Sequence, residues 1–354
     1  MDNQFLKMVS PLLFTLFLLG CSHQRIEVAS VSTANDKIQQ NTPTVLFNLP
    51  RTENNFPAYI EALKTFAREN GISEAVIELG FADVYHLNRV ITADKNQPEK
   101  KLTLAQYLAI AASESRLKLA ASKMAEFHEQ VNHAETLTGI PAAYIIALWG
   151  VESGYGRYQG KDDVISALAT LAFEGRREAF FSRELVAALQ ILEKGYITKD
   201  EFKGSWAGAM GQNQFMPSSL LKYGKDGDGD GVIDIWTNTN DVLASIGNYL
   251  ATVGWNSAGY WGNMITLPKD FDLTLAGLDN NKAKSLLQWQ QLGIIFADAK
   301  SRPHYDEKAW LILPDADSTS VYLVYSNFKT LMHWNRSYFF AISVGMIADS
   351  LAEK

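Results

Sequence analysis

A single cysteine, Cys21, occurs in 354 residues, so the chain forms no disulfide within itself and its stability rests on core packing or a metal. Positive charge is short as well: 32 Lys and Arg stand against 39 Asp and Glu, a formal net charge of -7, with no sustained basic run. That balance argues against nucleic acid as a partner. Long apolar runs are missing; the stretch from Met8 to Leu19 is too short to span a bilayer. No internal repeat is present, and no low-complexity tract beyond a polar segment near the N-terminus. What the chain does have is 47% hydrophobic and 20% charged residues, enough to bury a large core divided over two or three domains.

The N-terminal "MDNQFLKMVSPLLFTLFLLGCSHQ" places Lys7 before the apolar stretch and ends it with Leu18, Leu19, Gly20 and Cys21, small residues that suit a cleavage site. It resembles a bacterial lipoprotein signal. The resemblance implies that residues 1–21 are a signal whose Cys21 becomes lipidated, so that the chain meets the membrane through a lipid anchor. Ser22, where an aspartate would redirect sorting, implies the periplasmic face of the outer membrane. An ordinary secretory signal with an incidental cysteine is the other reading. Residues 22–44 are polar, without a sustained apolar period, and read as a solvated tether.

Beyond the tether, Phe56, Ile60, Leu63 and Phe66 recur near helical spacing and Gly71 supplies a stop. Helix-rich sequence continues to Gly139. Between Ile265 and Leu331 the texture changes to short β-branched and aromatic runs separated by turn formers, a small β-rich subdomain. "RSYFFAISVGMIADSLAE" then returns to helix. The expected segments are 45–140 helical, 141–264 a core, 265–331 β-rich, and 332–354 a C-terminal helix packing back on the helical or core part.

Within "WGVESGYG", Pro141 suits a first helical position and Ala142 to Val151 is apolar on nearly all sides, which implies a buried helix ending at Glu152. Gly154 suits a left-handed stop. Low dielectric and the negative pole of the helix both disfavour ionisation of that carboxyl. A carboxylic acid kept protonated near neutral pH is what protonation of a departing sugar oxygen requires. A buried glutamate satisfied by a hydrogen bond or an arginine is the plainer alternative. Asp162 and Asp163, in "GKDDV", read as a solvated turn.

Two further stretches accompany it: "GSWAGAMGQNQFMPSS" at Gly204 to Ser219, rich in glycine, amide and hydroxyl, and "ASIGNYLATVGW" at Ala244 to Trp255. In this order the three resemble the motifs of membrane-bound lytic murein transglycosylases of the B type, as do "ITADKNQPEKKLTLAQYL", "ISALATLAFEGRREAFF" and "NFKTLMHWNRS". The resemblance covers most of the chain after the tether. It implies an α+β, predominantly α fold, with a lysozyme-like core, an additional helical domain and a small β-rich subdomain. It also implies cleavage of the β-1,4 bond between N-acetylmuramic acid and N-acetylglucosamine in peptidoglycan glycan strands, with Glu152 as sole acid and base. Ordinary glycosidases use two carboxylates; here the substrate acetamido group would replace one, giving a 1,6-anhydro product.

By matching motif positions, Ser205 and Gln214 contact sugar and Met210 forms cleft wall, with a loop-structural role as the alternative. Asn248 and Tyr249 in "GNYL", and Tyr107 in "LAQYL", line the cleft, with core packing competing for the tyrosines. Arg176 and Arg177 offer forks for substrate carboxylates, or form an ion pair. Asn335 matches "NRS", flanked by Trp334 and Phe340 where tyrosine is usual.

"DGDGDGVIDIWTNTND" sets Asp226, Asp228 and Asp230 at alternate positions with Gly231 at the bend and the Val232 carbonyl at position seven, the front half of an EF-hand loop for calcium. Position twelve is Thr237, not glutamate. The resembled family closes a lengthened loop with an acid at the next helix, which points to Asp241; a metal-free loop of Asx-turns is the alternative. No cofactor is required for the chemistry, and calcium would be structural. The rivals to this function are a hydrolysing muramidase on the same fold and a noncatalytic peptidoglycan-binding lipoprotein.

Overall fold

The computed structural model describes residues 46–95, 102–297, 306–315 and 320–352; the signal, Cys21 and the tether lie outside them. In chain order the helices and strands are α1 Phe56–Glu69, α2 Glu74–Phe81, α3 Asn88–Lys95, α4 Leu104–Ala111, α5 Glu114–Glu126, α6 His128–Thr138, α7 Ala142–Ser153, β1 Asp162–Asp163, α8 Val164–Glu174, α9 Glu178–Glu193, β2 Lys203–Gly204, α10 Pro217–Tyr223 and α11 Thr239–Thr252. There follow β3 Gly262–Thr266, β4 Lys284–Ser285, α12 Leu286–Gln291, β5 Ile295–Phe296, β6 Lys308–Ile312, β7 Val321–Val324, α13 Ser326–Trp334 and α14 Tyr338–Ala352. Contacts group the chain into two units, each assembled from separated stretches. One takes the chain up to Pro98 together with Glu152–Ser245; the other takes Glu99–Val151 and Ile246–Lys354. Neither unit is one of the consecutive segments expected from the sequence.

In the first unit, α1 buries Phe56, Tyr59, Ile60, Leu63 and Phe66 on one face, and the chain leaves it through Gly71 at φ +84, as the apolar spacing predicts. Helix α8 is buried along Val164 to Phe173 and packs against α9, α3 and α1. Its start is set by Asp163, whose Oδ1 accepts the Ser166 amide N–H at 2.8 Å.

Asp162 and Asp163 correct the expectation of a solvated turn. Both are buried and pair with Gly204 and Lys203 in a short antiparallel ladder. Asp162 forms an ion pair with Arg89, and the Lys199 ammonium donates to Asp163 Oδ2 at 2.6 Å. Burial alone would push the Asp163 carboxyl up, but Lys199 and the Ser166 amide hold it below its ordinary 3.8. A carboxylate so depressed stabilises the fold above pH 3.8 and loses that contribution as pH falls through its folded value. Lys199→Met is therefore expected to cost about 3 kcal/mol near neutral pH. The gap from wild type should narrow in strongly acidic urea titrations; a gap independent of pH would remove the pair as its cause.

In the second unit, α14 packs against α5, α4 and α13. A five-stranded antiparallel sheet runs in the order β4-β6-β7-β3-β5. Its core is Ile265, Leu286, Trp289, Leu311, Leu323 and Tyr325, and the Trp289 indole N–H donates to the Ala309 carbonyl at 3.0 Å. The β-rich segment differs from its expected bounds. It starts at Gly262, contains α12, and gives way to helix at Ser326 rather than after Leu331. Helix α12 forms inside an apolar run because Ser285 and Gln288 make a capping box, leaving Leu286 and Trp289 three apart on one face.

Candidate active site

Helix α7 is apolar around its circumference, and its last turn carries Glu152, 3% exposed, beside the fully buried Ser153. Three consecutive residues then have positive φ: Gly154 at 59°, Tyr155 at 64° and Gly156 at 80°. Tyrosine in this region costs on the order of 1 kcal/mol, so the turn is held by its surroundings. The Gly156 amide donates to Ser153 Oγ at 2.9 Å and the Tyr158 amide to the Ser153 carbonyl at 2.9 Å.

The second motif folds against this turn. A Cβ at Gly156 would lie 2.4 Å from Gln212 Oε1, so the side chain of Gln212 lies directly on the glycine. The Gln212 amide donates to the Trp236 carbonyl at 3.0 Å, and the Gln159 amide donates to that same carbonyl at 3.2 Å. Gln214, itself at φ +50, donates to the carbonyls of Gln159 at 3.3 Å and Gly211 at 2.8 Å. A lattice of amides thus binds the turn after Glu152, the loop from Gly204 to Phe215, and Trp236. Gln159 and Gln212 are not among the residues expected from the sequence; the density of amides in "GQNQ" is a signal for Gln212 alone.

Other candidates divide. Ser205 folds its own loop: its hydroxyl accepts the amides of Ala207 at 3.3 Å and Ala209 at 3.0 Å. Met210 is fully buried and bridges Gly204 and Phe215. Arg176 and Arg177 both pair with the buried Asp94, and the Arg177 guanidinium stands 4.6 Å from the Phe181 ring centroid. The ion-pair alternative is the one the structure places there.

In the second unit, Tyr249 and Asn248 lie on α11, and Asn335 caps α13. The Tyr249 hydroxyl lies 3.0 Å from both Nδ1 and the carbonyl oxygen of His333, and its ring centroid is 4.5 Å from that of Trp334. Tyr107 is buried with its ring 5.6 Å from Phe339.

The acidic loop gathers oxygens of Asp226, Asp228 and Asp230 within 4.8 Å of one another. Asp226 accepts the amides of Gly229 at 2.6 Å and Gly231 at 2.8 Å, which hold its carboxyl below the ordinary range, and Asp230 Oδ1 accepts that of Val232 at 2.8 Å. Asp241 stands outside this group. Fully buried, its two oxygens accept the amides of Gly227 and Asp234, each at 2.7 Å. Burial pushes its carboxyl up, against those two bonds. Asp241 therefore staples the two ends of the loop through backbone.

A buried acid ending an apolar helix, tied to a loop of glycines and amides in a mostly helical fold with small sheets, defines a lysozyme-like protein. The transglycosylase SLT domain model matches residues 55–349. The chain is 32% identical over 240 residues to membrane-bound lytic murein transglycosylase B of Escherichia coli K12, covering 64% of this chain and 61% of that relative, less than two thirds of its length. SltB3 of Pseudomonas aeruginosa, solved with NAG-anhNAM-pentapeptide, aligns with a TM-score of 0.79 at 36% identity over 84% of this chain and 79% of that one. The lytic transglycosylase Slt35 of Escherichia coli in complex with calcium aligns with a TM-score of 0.71 at 25% identity, over 85% and 94%. The chain belongs to the transglycosylase SLT domain family, and within it is similar to the B-type lytic murein transglycosylases.

Proposed function

We propose that the chain is a peptidoglycan lytic transglycosylase that cleaves between N-acetylmuramic acid and N-acetylglucosamine. Glu152 is its single acid and base. The protonated carboxyl gives its proton to the glycosidic oxygen while the acetamido oxygen of the muramic acid attacks the anomeric carbon. The resulting carboxylate then takes the proton of the 6-hydroxyl, which closes on that carbon as the acetamido group leaves. The product is a 1,6-anhydro sugar, and no water is consumed.

The observation that carries this reading is the placement of the carboxyls. Glu152 is buried at the end of α7. The nearest acidic residues that follow it, Asp162 and Asp163, are engaged by Arg89 and Lys199, which supports a mechanism without a second carboxylate. The complex of SltB3 with NAG-anhNAM-pentapeptide is in keeping with an anhydro product. The test is a mass spectrum of muropeptides released from sacculi. Anhydro ends support the reading, whereas products one water heavier identify a hydrolysing muramidase.

The donor set of the acidic loop, hard carboxylate oxygens close together, fits calcium. Asp226, Asp228, Asp230 and the Val232 carbonyl would hold it, with Asp241 keeping the loop in shape; bound there, calcium supplies rigidity and no chemistry. Calcium at a hundredfold its dissociation constant is expected to stabilise the protein by about 2.7 kcal/mol. Asp228→Asn should abolish most of the gain in thermal midpoint, and a wild-type midpoint unmoved by calcium against EGTA would exclude the site. By resemblance of its N-terminus, the chain is anchored through lipidated Cys21 at the periplasmic face of the outer membrane.

A further inference from the structure

Two contacts converge on one oxygen at Tyr249, and a phenol has one proton to give. Its hydroxyl lies 3.0 Å from His333 Nδ1 and 3.0 Å from the His333 carbonyl oxygen. A carbonyl accepts and never donates. Both contacts are hydrogen bonds at once only if the phenol donates to the carbonyl and Nδ1 carries a hydrogen that donates to the phenol oxygen. The Trp334 ring, next in sequence, packs on the Tyr249 ring at 4.5 Å between centroids, and Asn335 follows. Consecutive residues of α13 therefore hold both ends of the tyrosine, its oxygen by His333 and its ring by Trp334.

We propose that His333 is a positioning residue for substrate binding: its main-chain carbonyl takes the Tyr249 proton, and its imidazole N–H holds the phenol oxygen in place. The inference rests on the reading of Tyr249 as a residue of the glycan cleft. Side-chain packing alone does not require it, because an apolar residue of similar volume would support the ring without donating to the phenol oxygen. Removing the imidazole takes away the donor to the phenol oxygen while the bond to the main-chain carbonyl stays, and the oxygen, held from one side only, meets glycan part of the time.

The experiment measures steady-state kinetics of the full-length protein on soluble glycan strands, with thermal midpoints taken in parallel. His333→Leu is expected to raise KM about fivefold with kcat nearly unchanged, the size of one lost hydrogen bond in binding. His333→Asn, whose amide nitrogen takes the position of Nδ1, should restore KM to within about twofold of wild type, the range of an imperfectly placed hydrogen bond. Adding His333→Leu to Tyr249→Phe should change KM no further, because the partner of the hydrogen bond is already gone.

Unchanged KM in His333→Leu overturns the assignment. Equal losses in the Leu and Asn variants, or additive losses in the double variant, also overturn it, since either marks a structural role. Should His333→Leu fail to fold, His333→Gln, whose nitrogen reaches the Nε2 position instead, takes its place with the same loss expected. Wild-type protein that releases nothing from sacculi overturns the proposed function itself. Active wild type with KM unmoved by these variants overturns only the role of His333.

Discussion

Glu152→Gln is expected to lower release of muropeptides from sacculi by about 10²- to 10⁴-fold, the usual contribution of a positioned acid and base. Glutamine has the same length and volume, so the end of α7 and the turn through Gly154, Tyr155 and Gly156 should persist. What it lacks is a proton to give and a carboxylate to take one back. Thermal unfolding should accordingly sit close to wild type, or slightly above it, because a buried ionisable group has been replaced by a neutral one. Turnover is measured by chromatography of soluble fragments. Release at the wild-type rate would remove Glu152 from the chemistry.

Gly160→Ala is expected to cost about 3 kcal/mol or more, combining a strained backbone with a clash that cannot relax. Gly160 has φ +87, and a Cβ there would lie 2.0 Å from the Gly204 carbonyl oxygen and 2.4 Å from the Ser205 nitrogen. Both obstacles are backbone. They cannot retreat, because Gly204 is paired with Asp162 in the ladder and the Ser205 amide donates to the Ala209 carbonyl at 2.7 Å. Gly195→Ala is the matched control: φ is +70 and nothing lies within 4 Å of the added atom, so only the backbone penalty of about 1 kcal/mol applies. Urea denaturation of both variants separates the two terms. Equal destabilisation would show that close approach to the Gly204 loop contributes nothing.

The stability consequence at Gly160 bears on activity as well. The contact brings the chain eight residues beyond Glu152 against the first residues of the second motif, and the amides of Gln159 and Gln214 bridge the same seam. A displaced loop would move Ser205 and Gln214 together, so Gly160→Ala protein that still folds should also lose activity.

How much of this was legible in the linear chain follows from the range of each interaction. Helix α7 and the place of Glu152 at its end were readable because periodicity, Pro141 and Gly154 act within a few residues of one another. The front of the acidic loop was readable for the same reason: Asp226, Asp228 and Asp230 are local, and the structure does bring their oxygens together. Asp241 was expected as a further ligand of that loop, and in the structure its oxygens accept from backbone. Its partners are the backbone amides of Gly227 and Asp234, and a side chain accepting from main chain leaves no mark on residue types.

Ion pairs between distant residues were not legible in the chain. "GKDDV" has the composition of a solvated turn, yet Asp162 and Asp163 pair with Arg89 and Lys199. Arg176 and Arg177 have the forks to hold a substrate carboxylate, yet both meet Asp94. Each partner lies tens of residues away, and only packing of α3 against α8 brings Asp94 to the pair.

From its residues alone the chain determined its mostly helical character, the buried acid at position 152, the order of its motifs and the family they resemble, since all of these reside in short-range pattern. Tertiary structure alone decided which carboxyls are left for chemistry and which are spent on cations, that two units are each assembled from separated stretches, and that His333 meets Tyr249. Those outcomes depend on which distant groups share a low-dielectric interior, where an unpaired charge or an unmet hydrogen bond costs too much to persist.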